Sequence, residues 1–327
     1  MIPLGSGTFI VLATHDGERF LAEQIESLLA QTDGCWTLLA RDDHSSDNTK
    51  ALLDGFARRD DRIRVLPVPA ERLGSAGRNF AGLLQAALEH GADHVFCCDQ
   101  DDVWAADKLE RMLAALRQAE GPGRQPCLVH HDLVVVDSRL VPLNRSYWSL
   151  MALKPENETR PQRLLSRNEV TGCALACNRA LLELALPVPK EAIMHDWWLA
   201  LYAGFFGRLL PLPQTLVSYR QHGANAIGAK SYKAGLNPLR NGSVAWRSGN
   251  AELLETVRQA RAFKNAVVSN LSLDPALVLA LDNYCELPRL GRMRRMAALR
   301  TSAVWRRNWL LDSVLALRVL LLERERG

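Results

Sequence analysis

The chain has 327 residues, of which 48% are hydrophobic and 23% charged, with a net charge of +4. Such a length allows one large domain plus an extension, the composition is that of a globular protein, and so mild a charge gives no reason to expect nucleic acid as a partner. Seven cysteines without paired spacing suit a reducing cytosol better than a disulfide framework. No signal peptide is expected at the N-terminus, and no apolar run is long enough to span a bilayer.

Thr8 to Ala13 predicts a first buried strand, closed by the polar turn Thr14-His15-Asp16-Gly17. Leu21, Ile25, Leu28 and Leu29 then recur at helical spacing. Trp36 to Ala40 predicts a second strand running into Arg41-Asp42-Asp43-His44-Ser45-Ser46-Asp47. Ser46 or Asp47 would cap the next helix, whose apolar face is Ala51, Leu52 and Phe56. Two further acids, Asp42 and Asp43, are surplus to capping and favour a binding role. A third strand is expected over Ile63 to Val68, then a helix through Phe80, Leu83, Leu84, Ala87 and Leu88. The fourth strand, His94 to Cys98, delivers Asp99-Gln100-Asp101-Asp102. The order βαβαβαβ predicts a mainly parallel sheet with helices on both faces. Every polar cluster falls at a strand's carboxyl end, where such sheets bind ligands.

Carboxylates crowded at the end of a buried strand repel one another and lose solvation. A divalent cation would neutralise them, and Mg²⁺ or Mn²⁺ prefers such oxygen ligands. An Asp-x-Asp pair places both side chains on one side of an extended segment. The competing reading is a solvated polar loop.

Farther on, Cys127-Leu128-Val129 reads as a strand leading into His130, His131 and Asp132, which lack the further ligands a zinc site needs. Thr171-Gly172-Cys173-Ala174 is strand-like, and Gly172 would let a ligand approach closely. Asp196 stands before an apolar helix start that contains Trp197 and Trp198. It is either a helix cap or a carboxylate beside a sugar-binding wall, where low polarity would raise its pKa. Residues 223 to 249 are rich in Gly, Asn and Ser and read as a loop over the site. From Cys285 onward ten Arg face four acidic residues, with Trp305, Trp309 and many Leu interleaved. This predicts one or two basic amphipathic helices, either on an anionic membrane or packed on the domain or across a homodimer.

Four stretches together carry a family resemblance: Ala13-Thr14-His15-Asp16-Gly17, Gln24 to Thr32, Asp42 to Thr49, and Asp99-Gln100-Asp101-Asp102-Val103-Trp104. The chain resembles the family-2 glycosyltransferases of GT-A fold. His195-Asp196-Trp197-Trp198 and Tyr219-Arg220-Gln221-His222-Gly223-Ala224-Asn225 resemble its rhamnosyltransferase-like branch. The likeness covers roughly the first two thirds of the chain, about one ordinary domain. It implies a catalytic domain over residues 1–225, with a donor half to about residue 125 and an acceptor half from 126, and a helical extension over 226–327.

The resemblance also implies roles. Ala13, His15 and Asp43 would border the base or ribose of a nucleotide sugar, with His15-Asp16 replacing the family's usual Tyr-Asn. Arg78 would approach the diphosphate. Asp99 and Asp101 would hold Mn²⁺ or Mg²⁺, with His222 as third ligand. Gly172, Cys173 and Trp197 would line the acceptor and sugar pocket, and Asp196 would be the general base of an inverting transfer. The implied donor is dTDP-L-rhamnose and the implied acceptor a saccharide or lipid-linked saccharide, met in the cytoplasm at the inner face of the membrane. A nucleotidyltransferase would need a Gly-rich basic loop where Thr14-His15-Asp16-Gly17 stands. A non-catalytic sugar-binding scaffold would have no need of Asp99, Asp101, Asp196 and His222 together.

Overall fold

A computed structural model of the chain describes residues 7–68, 70–155, 160–222, 242–267, 273–305 and 308–323. Its first half alternates as the hydrophobic pattern predicts: β1 (Thr8–Thr14), α1 (Glu18–Leu29), β2 (Thr37–Asp42), α2 (Thr49–Arg59), β3 (Ile63–Val65), α3 (Ala76–Glu89) and β4 (His94–Cys98). β3 is shorter than expected. The cap position of α2 is Asn48 rather than Ser46 or Asp47, although the Asp47 carboxylate accepts the Thr49 N–H at 3.0 Å.

β5 (Val103–Trp104), α4 (Lys108–Glu120), β6 (Cys127–Val136), β7 (Pro142–Asn144) and the short α5 (Tyr147–Leu150) follow. Then come β8 (Leu175–Asn178), α6 (Arg179–Ala185), α7 (His195–Phe206) and β9 (Arg208–Arg220). The C-terminal helices are α8 (Gly242–Val267), α9 (Pro275–Glu286), α10 (Arg292–Ser302) and α11 (Trp309–Leu321). Of the expected loop, residues 223–241 lie outside the described residues, while 242–249 begin α8.

The described strands form one nine-stranded sheet in the order β3-β2-β1-β4-β8-β6-β9-β5, with β7 beside β6. β3, β2, β1 and β4 are parallel, as expected. The second half is mixed: β8 is antiparallel to β4 and β6, β6 is parallel to β9, and β5 is antiparallel to β9. The link from β4 to β5 is only Asp99 to Asp102, too short for the helical crossover that a parallel neighbour needs. It runs instead across the carboxyl end of the sheet to the edge strand.

Period-two alternation divides the core. Ile10, Leu12, Phe96 and Cys98 face α1, α2 and α4 through Leu21, Ile25, Phe56 and Met112. Phe9, Val11, Val95 and Cys97 face α3, α6 and α7 through Phe80, Leu84, Leu182 and Leu199. Cys97 and Cys98 thus point to opposite faces and act as small apolar side chains.

The C-terminal helices join this second core through Leu253, Phe263, Tyr284, Leu299, Leu315 and Val319. Phe263 meets Tyr202 and Phe205 of α7 with ring centroids 5.0 Å apart in each case. The extension therefore packs on the domain. Arg295, 2% exposed, staples its ends together. Its guanidinium donates to the Leu287 carbonyl at 2.9 Å and the Pro288 carbonyl at 3.0 Å, and also to the Leu322 carbonyl. The outer surface of the extension still carries apolar side chains: Met293 is 86% exposed, Trp309 79%, and Leu317 and Leu321 47% each. No described helix is long and apolar enough to cross a membrane.

Removing the staple strands several buried carbonyls. Arg295→Ala should lower the unfolding free energy by about 3 kcal/mol in urea denaturation, within a single cooperative transition. A separate early transition that leaves the main one unmoved would show that the extension folds apart from the catalytic core.

Candidate active site

The carboxyl ends of β1, β2 and β4 open into a cavity of 930 Å³. On one side lie Ala13, His15, Asp43, Arg72, Gly74 and Asn79. Gln100, between the two Asp residues of the motif, ties β1 to β4. Its Oε1 accepts the His15 N–H at 2.9 Å and its Nε2 donates to the His15 carbonyl at 2.9 Å. Gly17 makes room for it, since a Cβ there would lie 2.3 Å from Gln100 Oε1. The His15 ring lies between Arg72 and the Asp43 carbonyl. A guanidinium only donates, so His15 Nε2 accepts from Arg72 and Nδ1–H donates to Asp43.

Asp43 lines the cavity, but both of its oxygens already hold backbone, accepting from Leu73 N–H at 2.7 Å and Gly74 N–H at 3.0 Å. Asp42 is likewise engaged, by the Ser45 N–H at 3.0 Å and the Thr14 hydroxyl at 3.2 Å. The surplus of acids inferred from the sequence is thus used to shape two loops. Asp43 keeps lone pairs toward the cavity.

The motif forms the floor. Burial, reinforced by Asp102, Asp101 and Asp196, pushes the Asp99 carboxyl well above its usual range. Asp102 is fully buried and pushed up to about 7 by burial and by Asp101, while the Arg220 N–H donates to it at 3.0 Å. Beneath them Lys108 is fully buried, with its ammonium 3.4 Å from the Trp104 ring centroid and donating to the Cys173 carbonyl at 2.7 Å. Burial lowers its pKa to about 8.

Arg220, 1% exposed, secures the strand end. It donates to the Asp101 carbonyl at 2.7 Å, the Ser138 carbonyl at 2.8 Å and the Glu23 carboxylate at 2.5 Å. Two residues on, His222 Nε2 stands 2.7 Å from Asp101 Oδ2. A cation could be held on either side of Asp99. Asp102 Oδ2 and the Cys173 thiol come within 4.8 Å of it on one side. That side fits poorly, because burial holds the thiol protonated and Lys108 adds positive charge. On the other side Asp101 and His222, 2.7 Å apart, offer oxygen and imidazole donors better suited to a hard or borderline divalent ion, but Asp99 does not converge with them into a three-ligand cluster in this structure.

Asp196 lies in the first turn of α7, whose cap position is Met194. Its carboxylate is 6% exposed and pushed up to about 7 by burial, against hydrogen bonds from the Trp197 N–H and the Asn168 side chain. It faces the cavity together with Gly172 and Trp197. The Trp197 indole N–H donates to the Leu164 carbonyl at 2.6 Å.

Several expectations are corrected. Arg78 is exposed, absent from the cavity wall, and donates back to the Leu73 carbonyl at 3.4 Å. Cys173 is fully buried behind Gly172, in a 3₁₀ turn rather than a strand. Trp198 is a core residue donating to the Ala185 carbonyl at 2.8 Å, so only one of the two Trp residues forms a wall. His130, His131 and Asp132 continue β6. Asp132 accepts the Trp148 N–H at 2.9 Å and so anchors α5, which carries Tyr147 into the cavity. The far wall was not foreseen at all: Glu252 and Thr256 of α8 and Leu311, Val314, Leu315 and Arg318 of α11. Their spacing reads simply as buried helix, which is why no local signal marks them.

Residues 9–182 match the sequence model described as Glycosyl transferase family 2. The chain is 26% identical over 234 residues to the dTDP-rhamnosyl transferase RfbG of Shigella flexneri, covering 68% of this chain and 76% of that one. Its fold is similar to that of S. aureus TarS 1-349 solved with UDP-GlcNAc (TM-score 0.54, 14% identity, 96% of this chain and 90% of that one). It is also similar to mannosyltransferase PcManGT of Pyrobaculum calidifontis, solved with GDP-Man and Mn²⁺ (TM-score 0.51, 17% identity, 94% and 75%). At those identities the structural likeness is one of fold, while the family match spans more than half of the chain. The chain belongs to glycosyl transferase family 2 and is a glycosyltransferase of GT-A fold.

Proposed function

We propose a divalent-cation-dependent, inverting transfer of L-rhamnose from dTDP-L-rhamnose to a saccharide or lipid-linked saccharide. The observation that carries it is Asp196: a buried carboxylate with its pKa near 7, facing one cavity between a nucleotide-side wall and a separate helical wall. As carboxylate it takes the proton of the acceptor hydroxyl as that oxygen attacks the anomeric carbon from the side opposite the leaving nucleoside diphosphate. Asn168 orients the carboxylate and Trp197 closes the wall beside it. Asp99, Asp101 and His222 would hold the cation, which when bound would neutralise charge developing on the diphosphate. Mn²⁺ in the mannosyltransferase structure supports the metal. The name of the Shigella relative supports the donor.

The extension supports a site of action at a membrane surface. Exposed Met293 stands on α10 with exposed Arg292, Arg294 and Arg300, exposed Arg289 precedes that helix, and exposed Trp309, Leu317 and Leu321 stand on α11. Basic and apolar side chains together suit the anionic inner face of a membrane. Seven free cysteines, six of them buried, suit the reducing cytoplasm on that side.

Asp196→Asn should keep donor binding while kcat falls by roughly 10²–10⁴. In the wild type the base works only when deprotonated, so kcat should fall as the pH drops below about 7; near-normal turnover of the Asn variant would remove Asp196 as base. Asp101→Ala or His222→Ala should raise the Mn²⁺ concentration needed for donor binding about tenfold or more in calorimetry, and chelator should abolish wild-type binding. Arg292→Gln/Arg294→Gln should weaken binding to phosphatidylserine-containing vesicles by roughly 30-fold, at about 1 kcal/mol per charge. Equal binding to neutral vesicles would refute the electrostatic part.

A further inference from the structure

His195 opens helix α7 one residue before Asp196 and is 1% exposed. Neither Nδ1 nor Nε2 has a hydrogen-bond partner among the described residues. Leaving a polar group buried and unpaired costs about 1–3 kcal/mol, so a folded protein that tolerates it gives reason to look for a ligand. The ring stacks on Phe80 of α3, with centroids 4.2 Å apart and planes at 23°. One face is thereby packed, and the polar edge is buried with neither nitrogen partnered. That edge points at Gly172, where a Cβ would lie 3.2 Å from Cε1 and 3.3 Å from Nε2. The same point is 3.7 Å from Asp196 Oδ2. The missing side chain therefore leaves a notch between imidazole and base, and His195, Phe80, Gly172 and Asp196 all line the cavity.

The chemistry of the edge selects its ligand. Burial holds the imidazole far below its usual pKa, at about 3, so it is neutral at any working pH. One ring nitrogen then donates and the other accepts. A phosphate only accepts and would leave the accepting nitrogen unpaired. A hydroxyl, which both donates and accepts, matches a neutral edge. The position selects further. Phe80 belongs to α3, the helix that follows the loop held by Asp43, so His195 sits where the nucleotide-side wall meets the base.

We propose that His195 hydrogen-bonds a hydroxyl of the donor's hexosyl ring and discriminates among donor sugars without contributing to nucleotide affinity. The proposal rests on the glycosyl-transfer reading above. A sugar with that hydroxyl missing or turned away leaves the buried imidazole unpaired, which is how a polar site rejects a near-isostere.

The test compares wild type with His195→Leu and His195→Asn, which have similar volumes and differ in the polar edge. Urea unfolding checks that each variant is folded. Affinities for dTDP-L-rhamnose, UDP-glucose, UDP-GlcNAc, dTDP and UDP are measured by calorimetry in Mn²⁺. His195→Leu should weaken the nucleotide sugar that the wild type binds best by about tenfold, within the range for an unpaired hydroxyl. Its affinity for the matching nucleoside diphosphate should change less than about twofold, and His195→Asn should lose less than His195→Leu. Equal losses for sugar and nucleoside diphosphate, or no loss, would overturn the assignment of His195 while leaving the transferase reading intact. A wild type that binds the nucleoside diphosphates and none of the sugars would overturn both.

Discussion

The structure depends on one electrostatic problem: Asp99, Asp101, Asp102 and Asp196 converge at the carboxyl end of a buried strand. In a low-dielectric setting such carboxylates resist ionising together. The fold answers with fixed positive groups placed below and beside them rather than among them. Lys108 lies under the cluster, fully buried, and Arg220 binds the backbone of the motif from the end of β9. Neither cation occupies the space above Asp99 and Asp101, which stays open to the cavity. The residual negative charge is thus directed into the cavity.

That arrangement also explains why the short link between β4 and β5 matters. Four residues cannot support a crossover helix, so the chain crosses the top of the sheet and pairs with β9. The crossing brings Arg220 and His222, more than a hundred residues away, against Asp101 and Asp102. Gln100 completes the crossing by tying it to β1 through paired bonds with His15. The motif is held by hydrogen bonds to its backbone, to Gln100 and, through His222, to the Asp101 carboxylate, while Asp99 and Asp101 line the cavity.

The extension changes how the molecule is divided. Its helices share an apolar core with α7, through Phe263 and the aromatic side chains around it, and the other side of α11 closes the cavity. An exposed apolar surface and a cavity wall are therefore borne by one helix. Leu315 and Arg318 look inward while Trp309, Leu317 and Leu321 look out.

The sequence by itself determined the alternation of strands and helices in the first half, the sheet they build, and the acids at its carboxyl end. These are local properties: a period of two or 3.6 and a polar cluster after an apolar run are written in consecutive residues. It also singled out Asp196, His222, Gly172 and Trp197, because each stands in a short distinctive string. What it did not separate were neighbouring side chains: Gly172 lines the cavity while Cys173 is buried behind it, Trp197 faces the cavity while Trp198 is core, and Arg78 lies off the cavity wall. Each turns on the direction of a single Cα–Cβ bond in a loop, a 3₁₀ turn or the first turn of a helix, where no clean periodicity fixes it. Tertiary structure alone decided the pairing of Asp43 with Leu73 and Gly74, the burial of Lys108 and the inward turn of α11. It also decided the unpaired edge of His195, because each of these depends on which distant segments the fold brings together.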